Sequence, residues 1–363
     1  MIKHYLDQNS SFVKYDKHHV ADSISTLPEQ IITAWSQVSS LPPASSKEKI
    51  NQLVVSGMGG SALSARIIQA LSHYYLKVPL EIVNNYRLPN YVDEQTLVVL
   101  SSYSGNTEET ISTAKDALKR KAQIFIIASG GQLAQIANNY QLPSYTIHPS
   151  ANPSNLPRLA IGYSLGGLLA VLNRYQLAVI RPADIDELVK LLQKNNLNLL
   201  PTSPLKNNPA KNLAIKLKDH GICLIAANHL TGTSYSIKNM LNENAKTFAV
   251  NFDLPELNHH LLESLAFPKD LKNNFHFLMI DSELYPEVIR QRLEITKNVF
   301  MKLSYPVTVI KPDSQKPLEQ ACETLLFGAY FSYYLSILNR IDPGPIPWVD
   351  YFKAELEKTK HRI

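Results

Sequence analysis

One alternation narrows the fold more than any other feature. Between residues 53 and 147 short apolar runs recur, each followed by a polar or small-residue turn and then by helical spacing. Leu53-Val54-Val55-Ser56, Leu80-Glu81-Ile82-Val83, Leu97-Val98-Val99-Leu100-Ser101, residues 123–128 and Tyr145-Thr146-Ile147 read as strands. Residues 61–71, 107–118 and 133–139 read as helices between them. Strands this apolar have no polar face to offer water, so they predict a parallel sheet covered by helices on both sides. The pattern restarts after residue 210, with strands at 222–226, 248–250, 275–280 and 307–310 and helices at 210–219, 234–245, 286–300 and 318–337. A leading helix is expected over 22–40, ended by Leu41-Pro42-Pro43, and a long one over 158–175. Pro182 reads as a linker before a helix at 183–198. A tail helix is expected after Asp342-Pro343-Gly344-Pro345, packing back on the first half. The expectation is an α/β chain with two domains of similar architecture, residues 1–180 and 181–363, each a parallel sheet flanked by helices, plus the tail helix.

Composition excludes several other classes. Hydrophobic residues make up 45% and charged residues 18% of the 363, ordinary globular usage. Lys and Arg total 36 against 31 Asp and Glu, a formal charge of +5, and the cations are scattered. This speaks against a nucleic-acid binder and suits an anionic small molecule. The two cysteines, Cys223 and Cys322, form no CxxC and no disulfide framework, so a reducing cytoplasm is expected. Met1 to Asp7 holds no apolar signal core, and no apolar run reaches the length of a membrane span.

Two turns carry candidate chemistry. Ser56-Gly57-Met58-Gly59-Gly60-Ser61-Ala62 joins a strand to a helix, where glycines admit a ligand to the backbone and helix-start N–H groups attract anions. Its spacing also satisfies the dinucleotide pattern G-x-G-x-x-A, but the next strand ends in Asn84-Asn85 rather than in an acidic residue. The second turn, Ser101-Ser102-Tyr103-Ser104-Gly105-Asn106-Thr107-Glu108-Glu109-Thr110, offers the hydroxyls of Ser102, Ser104 and Thr107 at a helix start. Asn106 and Glu109 have the spacing of a capping box. A cap does not explain the serines, and two such turns in neighbouring units point to one crevice at the strand ends.

The combination G-M-G-G-S-A and S-Y-S-G-N-T-E-E-T resembles the sugar isomerase (SIS) domain. Asn155-Leu156-Pro157-Arg158, Leu241-Asn242-Glu243-Asn244-Ala245-Lys246, Pro255-Glu256-Leu257-Asn258-His259 and Asp342 to Pro347 with Lys353 extend the likeness, in order, to the bifunctional phosphoglucose/phosphomannose isomerase family. The resemblance implies a phosphosugar substrate bound by Gly60, Ser61, Ser102, Ser104 and Thr107. It implies Arg158 at the sugar oxygens, Glu243 as the base between C1 and C2, and His259 as a ring-opening group donated by the partner of a homodimer. Lys353 is implied as a second ring-opening or charge-stabilising group. No metal and no cofactor are implied. Two departures stand out: His260 and Leu261 follow E-L-N-H where the family has Asn and Glu, and no Arg occurs in Ser234-Tyr235-Ser236-Ile237-Lys238. His260 can substitute for His259 in this reading. A phosphosugar sensor without catalysis and a dinucleotide-dependent oxidoreductase are the competing readings.

Overall fold

The structure is a computed structural model that describes residues 5–42 and 48–360; Met1 to His4 and Pro43, which enter the readings above, lie outside them. Helices α1 (Asn9–Tyr15), α2 (Val20–Ser25) and α3 (Leu27–Ser39) lead the chain. The single helix expected over 22–40 is broken at Thr26, because Pro28 lacks an N–H and belongs in a first turn, where it starts α3.

The first sheet is built from β1 (Gln52–Ser56), β2 (Leu80–Val83), β3 (Thr96–Ser102), β4 (Gln123–Ala128) and β5 (Ser144–Thr146), all parallel, in the order β2-β1-β3-β4-β5. Its helices are α4 (Gly60–Ala70), α5 (Ser72–Tyr75), α6 (Glu108–Lys119) and α7 (Gly131–Tyr140), followed by α8 (Ile161–Arg174). Central β3 is buried along its whole length, as its run of apolar residues requires. The helix after β1 packs with α3 and α8 on one face, while α6 and α7 cover the other with a separate apolar cluster. Adjacent strands whose helices leave to opposite faces open a crevice at their carboxyl ends, and here that crevice lies between the turns after β1 and β3.

The second half holds α9 (Pro182–Leu199), α10 (Pro209–Leu217), β6 (Gly221–Ala227), α11 (Thr231–Glu243), β7 (Ala249–Leu254), α12 (Leu261–Ser264), α13 (Leu271–Asn274), β8 (Phe275–Ile280), α14 (Glu287–Lys302), β9 (Val307–Ile310), α15 (Pro317–Leu338) and α16 (Pro347–Lys360). Its four strands are parallel in the order β7-β6-β8-β9. Both expected sheets, their helical covers and the tail helix are therefore present. Pro182 is the first residue of α9 rather than a linker, the position where its fixed φ suits a helix.

One apolar cluster runs from α3 and α8 through α10 and α15 into the second sheet. Helices α4 and α11 cross antiparallel at the centre. The start of α4 lies by the end of α11, while Gly232 near the start of α11 abuts the Arg66 carbonyl near the end of α4. That contact brings a turn of the first sheet beside the residues that close α11.

Candidate active site between the two sheets

The two hydroxyl turns are stitched to each other. Ser61 Oγ accepts the Tyr103 N–H at 2.9 Å, and Ser101 Oγ donates to the Ser61 carbonyl at 2.9 Å. Ser102 and Thr107 share one hydrogen at 2.8 Å, and Ser104 Oγ accepts the Asn106 N–H at 3.2 Å. Ser61 and Ser104 thus spend a lone pair on a backbone N–H and keep their own O–H to offer an anion. Gly105 makes the second turn possible: its φ is +68°, and a Cβ there would stand 1.8 Å from the Gly130 carbonyl oxygen.

The expected capping box is not formed. Thr107 is the N-cap residue of α6, with no side-chain cap bond, and Asn106 Oδ1 instead accepts the Gln132 N–H at 3.0 Å. Asn106 ties the second hydroxyl turn to α7, so it is unavailable as a cap. At the end of β2, Asn84 donates to the Gly57 carbonyl at 2.5 Å and accepts from Arg66. An amide occupied in closing the glycine loop offers no carboxylate to a ribose, contrary to what a dinucleotide site needs.

Arg158 is not inside a long helix as expected. It lies in a 3-10 turn (Pro157–Leu159), and α8 starts only at Ile161, which leaves the guanidinium pointing across to the second half. The side chain is 2% exposed. Its Nε donates to Asn244 Oδ1 at 2.6 Å, and one terminal nitrogen donates to the carbonyls of Pro343 and Gly344 at 2.7 and 2.8 Å. The other terminal nitrogen stands 3.5 Å from Glu243 Oε2. A buried cation costs several kcal/mol unless its donors are met, and here all but that last nitrogen have fixed partners. Its backbone presses on Gly60, where a Cβ would come within 2.8 Å of both Arg158 N and Cα. Gly60, Arg158 and Glu243 form one continuous line from the first turn to the end of α11.

Burial pushes the Glu243 carboxyl above its ordinary value, and the cations Arg158, Lys246, Lys353 and Lys238 hold it back in part. A carboxylate raised in this way suits proton abstraction near neutral pH. Lys353 lies on α16, on the same side of that helix as Asp350, whose charge acts on Arg158. Glu357, also on that side, lines a cavity of about 580 Å³ with Asn106, Glu108 and Gln132. The tail helix therefore brings Glu357 to the cavity beside the second hydroxyl turn. A second cavity of about 580 Å³, between Asn195, Lys216, Thr308 and Phe327, contains none of these groups.

Two residues of the N-E-N-A-K run serve the site without having been singled out by the sequence reading. Asn244 bridges Arg158 to Ser332 on α15, with its Nδ2 donating to Ser332 Oγ at 3.0 Å. Lys246 donates to the Asp342 and Pro343 carbonyls at 3.2 and 3.4 Å, and its own pKa is pushed down to about 8 by burial and by Arg158. The signal was the motif itself, in which only the carboxylate drew notice. Where the family Arg is missing, Lys238 and Arg66 stand 3.9 and 4.2 Å from the centre of the Tyr235 ring, and Lys238 acts on Glu243.

His259 does not join this constellation within one chain. Asn242, next to Glu243, exchanges hydrogen bonds with Ala249 at the first residue of β7, at 2.8 and 3.3 Å. His259 follows the far end of β7, which at about 3.3 Å per residue lies roughly 17–20 Å away. His259 and His260 are exposed there, and the His260 ring lies 6.3 Å from Phe252. Among the described residues no group of three or more His, Cys, Asp or Glu gathers as a metal site would require, and no helix is long and apolar enough to cross a membrane.

Comparison with known proteins places the chain in a family. Residues 48–156 match the SIS domain, and residues 206–356 match the bacterial phospho-glucose isomerase C-terminal SIS domain. A bifunctional phosphoglucose/phosphomannose isomerase of Caldicellulosiruptor bescii is 33% identical over 93% of this chain and 99% of its own length. One from Thermoplasma volcanium is 30% identical over 85% of this chain and 92% of its own. Among solved structures, a hypothetical protein of Thermus thermophilus shares the fold with a TM-score of 0.72 at 16% identity, covering 96% of this chain and 92% of that one. Matched in order along nearly its whole length, the chain belongs to the bifunctional phosphoglucose/phosphomannose isomerase family.

Proposed function

We propose that the chain interconverts glucose 6-phosphate and mannose 6-phosphate with fructose 6-phosphate through a cis-enediol. Gly60, Ser61, Ser102, Ser104 and Thr107 bind the phosphate. Glu243 removes the C2 proton of the aldose and returns it to C1, while Arg158 stabilises the negative charge that gathers on the enediol oxygens. Lys353 assists from α16. If the C2–C3 bond of the enediol rotates, one base can deliver the proton to either face of C2, which yields both aldose epimers. His259, from a second copy of the chain, assists ring opening. His259 follows the end of β7 opposite to the one that Asn242 holds, which supports a shared site. Both cysteines are buried and unpaired, in keeping with a cytoplasmic setting.

One observation carries the reading: a carboxyl raised by burial and faced by a buried guanidinium at 3.5 Å, in line with two hydroxyl turns. A phosphosugar sensor needs the turns and has no use for that pair. The test is incubation with fructose 6-phosphate in deuterated water. Deuterium at C2 of both aldoses is expected, and Glu243→Gln is expected to lose about 10²–10⁴-fold in turnover while fructose 6-phosphate still raises its melting temperature. Full turnover by Glu243→Gln removes the assigned base.

A further inference from the structure

Tyr103 stands between Ser102 and Ser104 in the second hydroxyl turn, and each of its polar groups is taken. Its N–H donates to Ser61 Oγ at 2.9 Å. Its carbonyl accepts the Ser129 N–H at 3.0 Å and the Ser129 hydroxyl at 2.5 Å. These bonds belong to the backbone and do not depend on the side chain. The phenol serves another segment. Its O–H donates to Asn155 Oδ1 at 2.9 Å, and its oxygen accepts from Asn152 Nδ2 at 3.2 Å.

Both asparagines lie in the loop that delivers Arg158. Asn152 is buried, and its amide also donates to the Leu156 carbonyl at 3.1 Å. Asn155 has a φ of +52°, in the left-handed region, and its N–H donates to the Asn152 carbonyl at 2.9 Å. Leu156 leads directly into the turn Pro157–Leu159. The same loop and turn are held to α3 by Gln30, which is wholly buried. Gln30 Nε2 donates to the Ala151 and Leu159 carbonyls at 2.8 and 2.9 Å, and Gln30 Oε1 accepts the Gly162 N–H at 3.2 Å. The Arg158 turn is therefore pinned twice, to α3 by Gln30 and to the second hydroxyl turn by Tyr103. The Arg158 guanidinium, in contrast, is bonded to the second half, at Asn244, Pro343 and Gly344. The distance of its backbone from the hydroxyl turns is thus set within the first half, where the Tyr103 phenol joins the two segments.

We propose that Tyr103 is a positioning residue: its phenol, through Asn152 and Asn155, holds the Arg158 turn in register with the hydroxyl turns, so that a sugar gripped by its phosphate meets the Arg158–Glu243 pair at its reacting carbons. The inference rests on the isomerase reading, which puts the phosphate at those turns and the enediol charge at Arg158. The test is Tyr103→Phe in the full chain, which keeps the ring and removes the O–H. The kcat for fructose 6-phosphate is expected to fall about tenfold, part of the roughly hundredfold that a misplacement of about 1 Å costs. The inhibition constant of inorganic phosphate is expected to stay at the wild-type value, because Ser61 is held by the Tyr103 N–H and not by the phenol. Amide hydrogen exchange in residues 152–160 is expected to speed up. Asn155→Gly keeps the left-handed backbone and removes the acceptor. It is expected to lower kcat as well, and the double variant to lose less than the product of the two single losses. Wild-type kcat in Tyr103→Phe, wild-type exchange in residues 152–160, or single losses that multiply in the double variant overturns the proposal. Weaker inhibition by phosphate assigns the phenol to the anion and overturns it too. A wild type that turns over no fructose 6-phosphate, while Tyr103→Phe still speeds exchange in residues 152–160, overturns the isomerase reading and supports the tether.

Discussion

Gly60 is where a single methyl group has the most to disturb. A Cβ there stands 2.8 Å from Arg158 N and Cα and 3.0 Å from the Pro157 carbonyl carbon, all backbone atoms that cannot swing aside. Ordinary contact begins near 3.4 Å, so Gly60→Ala forces the Pro157–Arg158 turn or the start of α4 to retreat by about 0.6 Å. Overpacking of this kind costs about 1–3 kcal/mol. The displacement passes directly to a guanidinium whose Nε bond to Asn244 is 2.6 Å and whose separation from Glu243 is 3.5 Å. A misplacement approaching 1 Å costs on the order of a hundredfold in rate. Gly60→Ala is therefore expected to lose roughly 10–100-fold in kcat for fructose 6-phosphate and to unfold at lower denaturant concentration. Steady-state kinetics and a urea titration on the same preparation check both. Wild-type kcat with a wild-type unfolding midpoint refutes the reasoning. A raised KM at unchanged kcat shows that Gly60 serves the anion alone and does not seat Arg158.

Asn244→Ala strips a buried cation of one acceptor and Ser332 of its donor; a loss of about 2–3 kcal/mol in denaturant unfolding is expected, with kcat reduced as well. Ser104→Ala removes an exposed hydroxyl assigned to the phosphate, so KM for fructose 6-phosphate is expected to rise about tenfold, the low end for a hydrogen bond to a charged group. Glu243 must be ionised to act, and burial raises its pKa, so the acid limb of kcat/KM is expected above the carboxylate reference of 4.5. Lys246 helps to hold Glu243 ionised, so Lys246→Met is expected to move that limb to still higher pH. A limb that stays in place, read from a pH–rate profile, removes Lys246 from the site's electrostatics.

The sheets were legible because their strands are short, apolar and separated by turn residues; β3 reads as buried from end to end and is so. The hydroxyl turns were legible for the same reason, since each joins a recognisable strand to a recognisable helix. What escaped was set by distant partners. Asn106 has the spacing of a cap, but Gln132 on α7 claims it. Arg158 reads as a helix-start residue, while its direction depends on two carbonyls nearly two hundred residues later in the chain, at Pro343 and Gly344. Asn244 and Lys246 sit beside the carboxylate in one motif, yet nothing local says that one holds a guanidinium and the other a backbone turn.

The antiparallel crossing of α4 and α11 has an electrical consequence. Each helix carries about half a positive charge at its beginning and half a negative charge at its end. Laid head to tail, they set a pole that attracts a dianion next to a pole that discourages a carboxylate from ionising, within one short contact. The half that begins at the contact supplies the grip, and the half that ends there supplies the reagent. Two halves of the same design, placed in opposite senses, can divide the labour in this way without either being rebuilt.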